Sequence, residues 1–461
     1  MALAFVVGAG CGEDGGRGAV GAGDLAGEED AHGDGADGVD DLEPLDDAPS
    51  DTPIEDVTPD VAEDVAEDAP PAFAHCEATP GTVDRATEER PGSVRIACGG
   101  HDLRVAAHDG MARLIWLPPG TEPAPRRWGI PTPPDPVPAS VGAVGDDVEV
   151  CWASAAVRVT PDGRVRVRDA SGAVVLEDGP DGGFATTNGG ARVTHASPAS
   201  ERFYGLGEKT GPMDKRGRRM TFWNTDAYDP AFGGYAPESD PLYLSIPFLI
   251  SLRDGRASGV FTDNTWRMTL DLAATAPDRW SAEVEGGLID QWVILGPDVP
   301  GVVERYTALT GRMAMPPRWA LGYHQCRWGY GPEARVREVA ARFRALSIPA
   351  DVLWLDIQHM DGFRTFTFDP LAFPDPERLM ADLAADGFAV VAIADPGIKV
   401  DAAWDVYQSG VASNIFLKTS GDALYVGRVW TGDAVFQDFL NPAAHPLRRE
   451  RVFGWRDQCP P

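Results

Sequence analysis

Three apolar runs in the second half of the chain end on a group that can bind or carry a proton: WALGY on His324, DVLWL on Asp356 and VVAIA on Asp395. A carboxylate or imidazole placed directly after four or five apolar residues is costly unless water or a partner meets it. Asp226, in TFWNTDAY, is a further carboxylate, in a setting that also suits a turn. Asp395 precedes Pro396, so capping a turn competes with lining a pocket there. The six cysteines are Cys11, Cys76, Cys98, Cys151, Cys326 and Cys459, with no CxxC and no Cys/His cluster at metal-ligand spacing. Cys76 and Cys98 are the pair expected to bridge in an oxidising compartment, although two reduced buried thiols would leave the same pattern.

The elements that must position these groups follow from periodicity. WALGYH reads as a strand, PEARVREVAARFRAL as a helix with Val336, Val339, Ala340, Phe343 and Leu346 on one face, and ADVLWLD as a strand. DPERLMADLAADG then reads as a helix stopped by Gly387, and FAVVAIADP as a third strand. Strands alternating with helices predict a parallel sheet covered on both faces, a barrel that has begun. Chemistry in such barrels collects at the C-terminal strand ends, where His324, Asp356 and Asp395 fall.

Before residue 310 the pattern is different. VRVTPDGRVRVRDASGAVVLED is a period-two meander broken at Pro-Asp-Gly and Ser-Gly, and PLYLSIPFLISLRDGRASGVFTDNTWRMTLDL continues it around Asp254-Gly255. An antiparallel β-sandwich is predicted, with TPPDPVP as a surface loop. The expected organisation is a signal at 1–11, an acidic linker at 12–72, a β-sandwich at 73–315 and the first part of a β/α barrel at 316–461.

Of 461 residues, 43% are hydrophobic and 24% charged, and the net charge is −31. Most of that charge is local: residues 1–72 hold 21 Asp or Glu against Arg17 alone. With no aromatic residue in 12–72, that segment cannot bury enough surface to offset chain entropy, and its charge favours an extended, disordered tether. The acidic balance and the lack of a basic stripe exclude nucleic acid as an expected partner. MALAFVVGAGCGEDGG resembles the end of a bacterial lipoprotein signal, although it carries no Lys or Arg n-region. That resemblance implies lipidation at Cys11, a membrane tether and a place in the cell envelope outside the cytoplasm.

Five ordered segments, together covering roughly 200–460, resemble glycoside hydrolase family 31, the α-glucosidase and α-xylosidase family. FYGLGEKTGPMDKRGRRMTFWNTDAY resembles its β-domain segment, and PPRWALGYHQCRWGY the first barrel strand. DVLWLDIQHMDGFRTFTFDPLAFPDPERLM resembles the WLDIDYMD stretch that ends the second. VVAIADPGI and VGRVWTGDAVFQDFLNP resemble the third strand and the segment before the fourth. The resemblance implies an oligosaccharide or α-glycoside substrate with no cofactor. It further implies that Asp356 bonds sugar hydroxyls, Ile357 lines the same pocket, Trp328 and Trp430 wall it, and Asp226 and Asp395 reach or line it.

A retaining glycosidase also needs a nucleophile and an acid/base. The family's nucleophile lies in a WxDMNE motif, which occurs nowhere in this sequence. The expectation is therefore a truncated, inactive family member whose catalytic pair lies beyond Pro461. Asp361 and Asp433 gain no support as substitutes from their context. The parent activity implied is retaining hydrolysis of α-glucosides or α-xylosides. The alternatives are α-transglycosylation and a non-catalytic carbohydrate-binding surface lipoprotein.

Overall fold

The computed structural model describes residues 75–122, 129–227, 234–429 and 431–446. Cys11, the acidic segment 12–72, Trp430 and Cys459 lie outside the described residues.

Among the described residues, the β half is built from three antiparallel sheets. The eight-stranded one runs, in spatial order, Arg202–Gly207, Ser245–Arg253, Arg256–Thr262, Ile289–Leu295, Met111–Leu117, His101–His108, Ser93–Cys98 and Ala86–Arg90. A six-stranded sheet extends from Thr79–Pro80 through Ser140–Val144 and Asp147–Trp152 to Val174–Glu177, and a five-stranded sheet from Gly183–Thr186 to Arg218–Phe222. One core draws on all three, with Val105 and Trp116, Val148 and Val157, and Val193 and Leu270 buried together. Period two explains the meander: in Val165–Asp169 the valines face this core, Arg166 pairs with Glu177 outside, and Arg168 pairs with Glu149. Asp254 and Gly255, both at positive φ (50° and 79°), make the tight hairpin that an Asp-Gly pair favours.

The bridge is Cys76–Cys151, not the Cys76–Cys98 pairing expected from the sequence. Sheet order is the reason. Thr79–Pro80 pairs with Ser140–Val144, which pairs with Asp147–Trp152, so the entering chain is laid beside Cys151. The Glu77 and Ala78 N–H groups donate to the buried Glu149 carboxylate at 2.6 and 2.9 Å and fix that approach. Cys98 ends a strand of the eight-stranded sheet and keeps a free thiol, pushed up to about 11 by burial.

Helix α1 (Val299–Thr310) is capped by the Asp298 carboxylate accepting the Gly301 N–H, and buries Val302 and Leu309 against the eight-stranded sheet. Three parallel strands follow: His324–Gln325, Val352–Leu355 and Ala389–Ala392, with the second in the middle. The first half of the expected strand WALGYH is instead part of a 3-10 turn, Arg318–Leu321. After Pro316-Pro317 the Ala320 N–H donates back to Pro317 and the Gly322 N–H to Trp319, leaving only His324–Gln325 to pair.

Helices α2 (Glu333–Ala345) and α3 (Pro376–Ala385) cover the sheet through Val336 and Ala340, and through Leu379, Met380 and Leu383. Leu346 departs from the expected apolar face of α2 and is 56% exposed, because the helix ends at Ala345. Gly387 at φ +76° turns the chain from α3 into the third strand. Beyond it come α4 (Asp405–Ala412) and a small antiparallel sheet of Gly397–Lys399, Gly432–Phe436 and Val426–Val429.

Candidate active site

The second strand sets the geometry of the site. Leu355 pairs with Ala392, and the Ile393 N–H donates to Leu355 at 3.0 Å, so the two neighbouring strands finish level. Asp356 and Asp395 therefore leave the same end of the sheet. Asp356 opens a 3-10 turn, Ile357–His359, and accepts the Ile357 N–H at its own Oδ1, 2.7 Å away. The turn is closed underneath by His359, whose N–H donates to the Asp356 carbonyl at 3.1 Å and whose Nδ1 lies 2.7 Å from the same oxygen. Ile357 does not stand free: it packs with Met360 and Ile393 as an apolar floor between the two strand ends.

Electrostatics separates the two carboxyl groups. Asp356 is half-buried, whereas Asp395 is 4% exposed and its Oδ2 finds no partner among the described residues. Burial first, and then the negative charge of Asp356, push Asp395 up to about 7. Partial shielding and the same charge raise the Cys326 thiol. His359, enclosed on all sides, is pushed down to about 4 and stays neutral at ordinary pH. The rim thus offers an acceptor beside a carboxylic acid that can donate.

Trp328 belongs to this rim. It is 61% exposed, on the loop after the first strand, and Gly329 at φ +78° brings that loop against Gln358, two residues past Asp356. Gly329 adopts this positive φ without steric cost, and a Cβ there would stand 2.9 Å from the end of the Gln358 side chain. His324 serves the sheet itself: its Nδ1 accepts the Trp354 indole N–H at 3.1 Å. Asp226 is held in the β half, where Tyr243 donates to its Oδ1 at 2.8 Å and Tyr235 bonds Tyr243 in turn. Asp361 pairs with Arg364 at 3.3 Å, and Arg364 also grips Asp401. Trp430 and Cys11 lie outside the described residues.

His359 and Gln358 escaped the reading of the sequence. Their only signal was substitution within the resembled stretch, where WLDIDYMD becomes WLDIQHMD. Among the described residues, His75, Cys76 and Cys151 gather donors of metal-binding type, but the disulfide consumes both sulfurs.

Residues 313–455 match the TIM-barrel domain of glycosyl hydrolases family 31, and residues 103–271 match the glycosyl hydrolase 31 N-terminal galactose mutarotase-like domain. The chain belongs to glycoside hydrolase family 31. This family 31 chain is 41% identical over 334 residues to alpha-glucosidase 2 of Bacillus thermoamyloliquefaciens, an alignment covering 72% of the chain and 42% of that protein. It is 34% identical over 258 residues to the alpha-glucosidase of Saccharolobus solfataricus, covering 56% and 36%. Against neutral alpha-glucosidase AB of Homo sapiens it is 34% identical over 271 residues, covering 53% and 28%. The chain thus spans about two fifths or less of the length of these curated relatives.

Among solved structures, a family 31 dextranase from Flavobacterium johnsoniae, complexed with isomaltotriose, shares the fold with a TM-score of 0.73 at 24% identity, over 83% of this chain and 46% of that one. The glucosidase II alpha subunit gives 0.66 at 22% identity, over 79% and 48%.

Proposed function

We propose that the protein is a retaining α-glycosidase of family 31, hydrolysing O-glycosidic bonds of α-glucosides or α-xylosides, and held outside the cytoplasm by a lipidated Cys11. The observation that carries this reading is the pair Asp356 and Asp395, level at the ends of adjacent parallel strands, with one carboxyl placed to accept hydrogen bonds and the other protonated until about pH 7. A pyranose presents hydroxyls that both accept and donate, and the exposed Trp328 ring offers a flat surface for its apolar face. The relatives named alpha-glucosidase support glucosides within this class.

This pair binds; it does not perform the displacement. Asp395, protonated until about pH 7, carries no negative charge with which to attack an anomeric carbon, and the resemblance gives Asp356 the binding of sugar hydroxyls. The nucleophile and acid/base are assigned to the part of the relatives' length that these residues do not span.

The test uses the chain continued past Pro461 to the length of its relatives, assayed on aryl α-glucosides and α-xylosides. Asp356→Asn is expected to lower kcat/KM at least 100-fold with little change in Tm, about 3 kcal/mol of transition-state stabilisation. An Asp356→Asn variant with native kcat/KM would overturn the reading.

A further inference from the structure

A cavity of about 480 Å³ opens in the β half, lined by residues between Gly129 and Thr310. Two tryptophans on its wall are half-exposed, Trp223 at 50% and Trp266 at 57%. The Trp266 ring lies on Gly286 and Gly287: a Cβ at the first would stand 2.7 Å from ring Cδ2, and at the second 3.0 Å from Cδ1. Asn264 locks that arrangement, donating to the Gly286 and Leu288 carbonyls at 3.0 and 2.9 Å and accepting the Trp266 N–H at 2.7 Å. One face of the ring is therefore seated on backbone while the residue stays exposed. Such a platform meets a ligand at little entropic cost.

Polar groups converge on the same space. Asn224 accepts the Ser245 N–H at 2.8 Å, which leaves its amide nitrogen as a donor, and Asp263 brings a carboxyl group. Among the described residues, none that lines the cavity is basic. Flat rings with amide and carboxyl groups match a neutral polyol with an apolar face. The size falls within the usual range for small-ligand sites, about 300–1,000 Å³.

We infer that this cavity is a carbohydrate-binding site of the β domain, holding one or two pyranose units of a glucan chain on Trp266 and Trp223. It lies on the same ribbon as Asp226: residues 223–226 run beside 242–245, with the Thr225 N–H donating to Leu242 and Tyr243 holding Asp226. A sugar bound here would keep a long substrate on the enzyme while its end is processed elsewhere.

The test is a saturation-transfer NMR titration of the 461-residue chain with maltotriose, a probe chosen on the α-glycoside reading. Saturable binding is expected in the millimolar range, at least tenfold weaker in Trp266→Ala and Trp223→Ala, and retained in Trp266→Tyr. Gly286→Ala, which displaces the ring but keeps it, is expected to weaken binding several-fold, with circular dichroism confirming the fold of each variant. No saturable signal, or one that survives Trp266→Ala and disappears in Asp356→Ala, would overturn the inference. Binding here without turnover by the continued chain would leave this site standing and fail the glycosidase reading; turnover without Trp266-dependent binding would do the reverse.

Discussion

Asp395 joins the electrostatics of the rim to the stability of the fold. Its carboxyl holds a proton up to about 7 in the folded chain, against an ordinary value of 3.8. Between those values the folded state binds the extra proton, so this group's contribution to stability is full below about pH 4 and is lost as pH rises through 7. Asp395→Asn is neutral throughout and lacks that slope. Its Tm relative to the native chain should therefore climb between pH 4 and 8 in melts at fixed ionic strength, and parallel curves would contradict the assignment. Asp356 and Asp395 were legible in the sequence because each closes an apolar run, and a charge there needs a reason. The buried Oδ2 of Asp395 and the His359 ring under the turn were not legible, because both depend on two strands finishing level, which only the register decides.

At the scale of elements, periodicity read the strands and helices well where neighbours were regular, as in Val165–Asp169 or α3, and less well where local bonds competed, as after Pro316-Pro317. The cysteine pairing shows a second limit. Spacing favoured Cys98, but a disulfide depends on which strands are neighbours, and the sheet order Thr79–Pro80, Ser140–Val144, Asp147–Trp152 selects Cys151. The bridge closes 75 residues of sequence, so Cys76→Ser with Cys151→Ser is expected to cost about 2–5 kcal/mol in denaturant unfolding. A non-reducing peptide map should join Cys76 to Cys151 and release Cys98 as a free thiol. A Cys76–Cys98 peptide would contradict the sheet order itself.

At the scale of the whole molecule, the order of an antiparallel half followed by a β/α half was visible in the change of hydrophobic period near residue 315. The division of the β half into three sheets around one core was not, because strand order across long connections leaves no local trace. The barrel half carries exposed apolar side chains, among them Leu321, Leu371 and Leu440 at 73%, 93% and 67%. The chain spans about two fifths or less of the length of its curated relatives. The most direct measurement of the central claim is to follow cleavage of an aryl α-glucoside by proton NMR, comparing the 461-residue chain with the chain continued past Pro461. The expected result is no turnover by the former and release of the α-anomer first by the latter. Turnover by the 461-residue chain alone, or first release of the β-anomer, would contradict it.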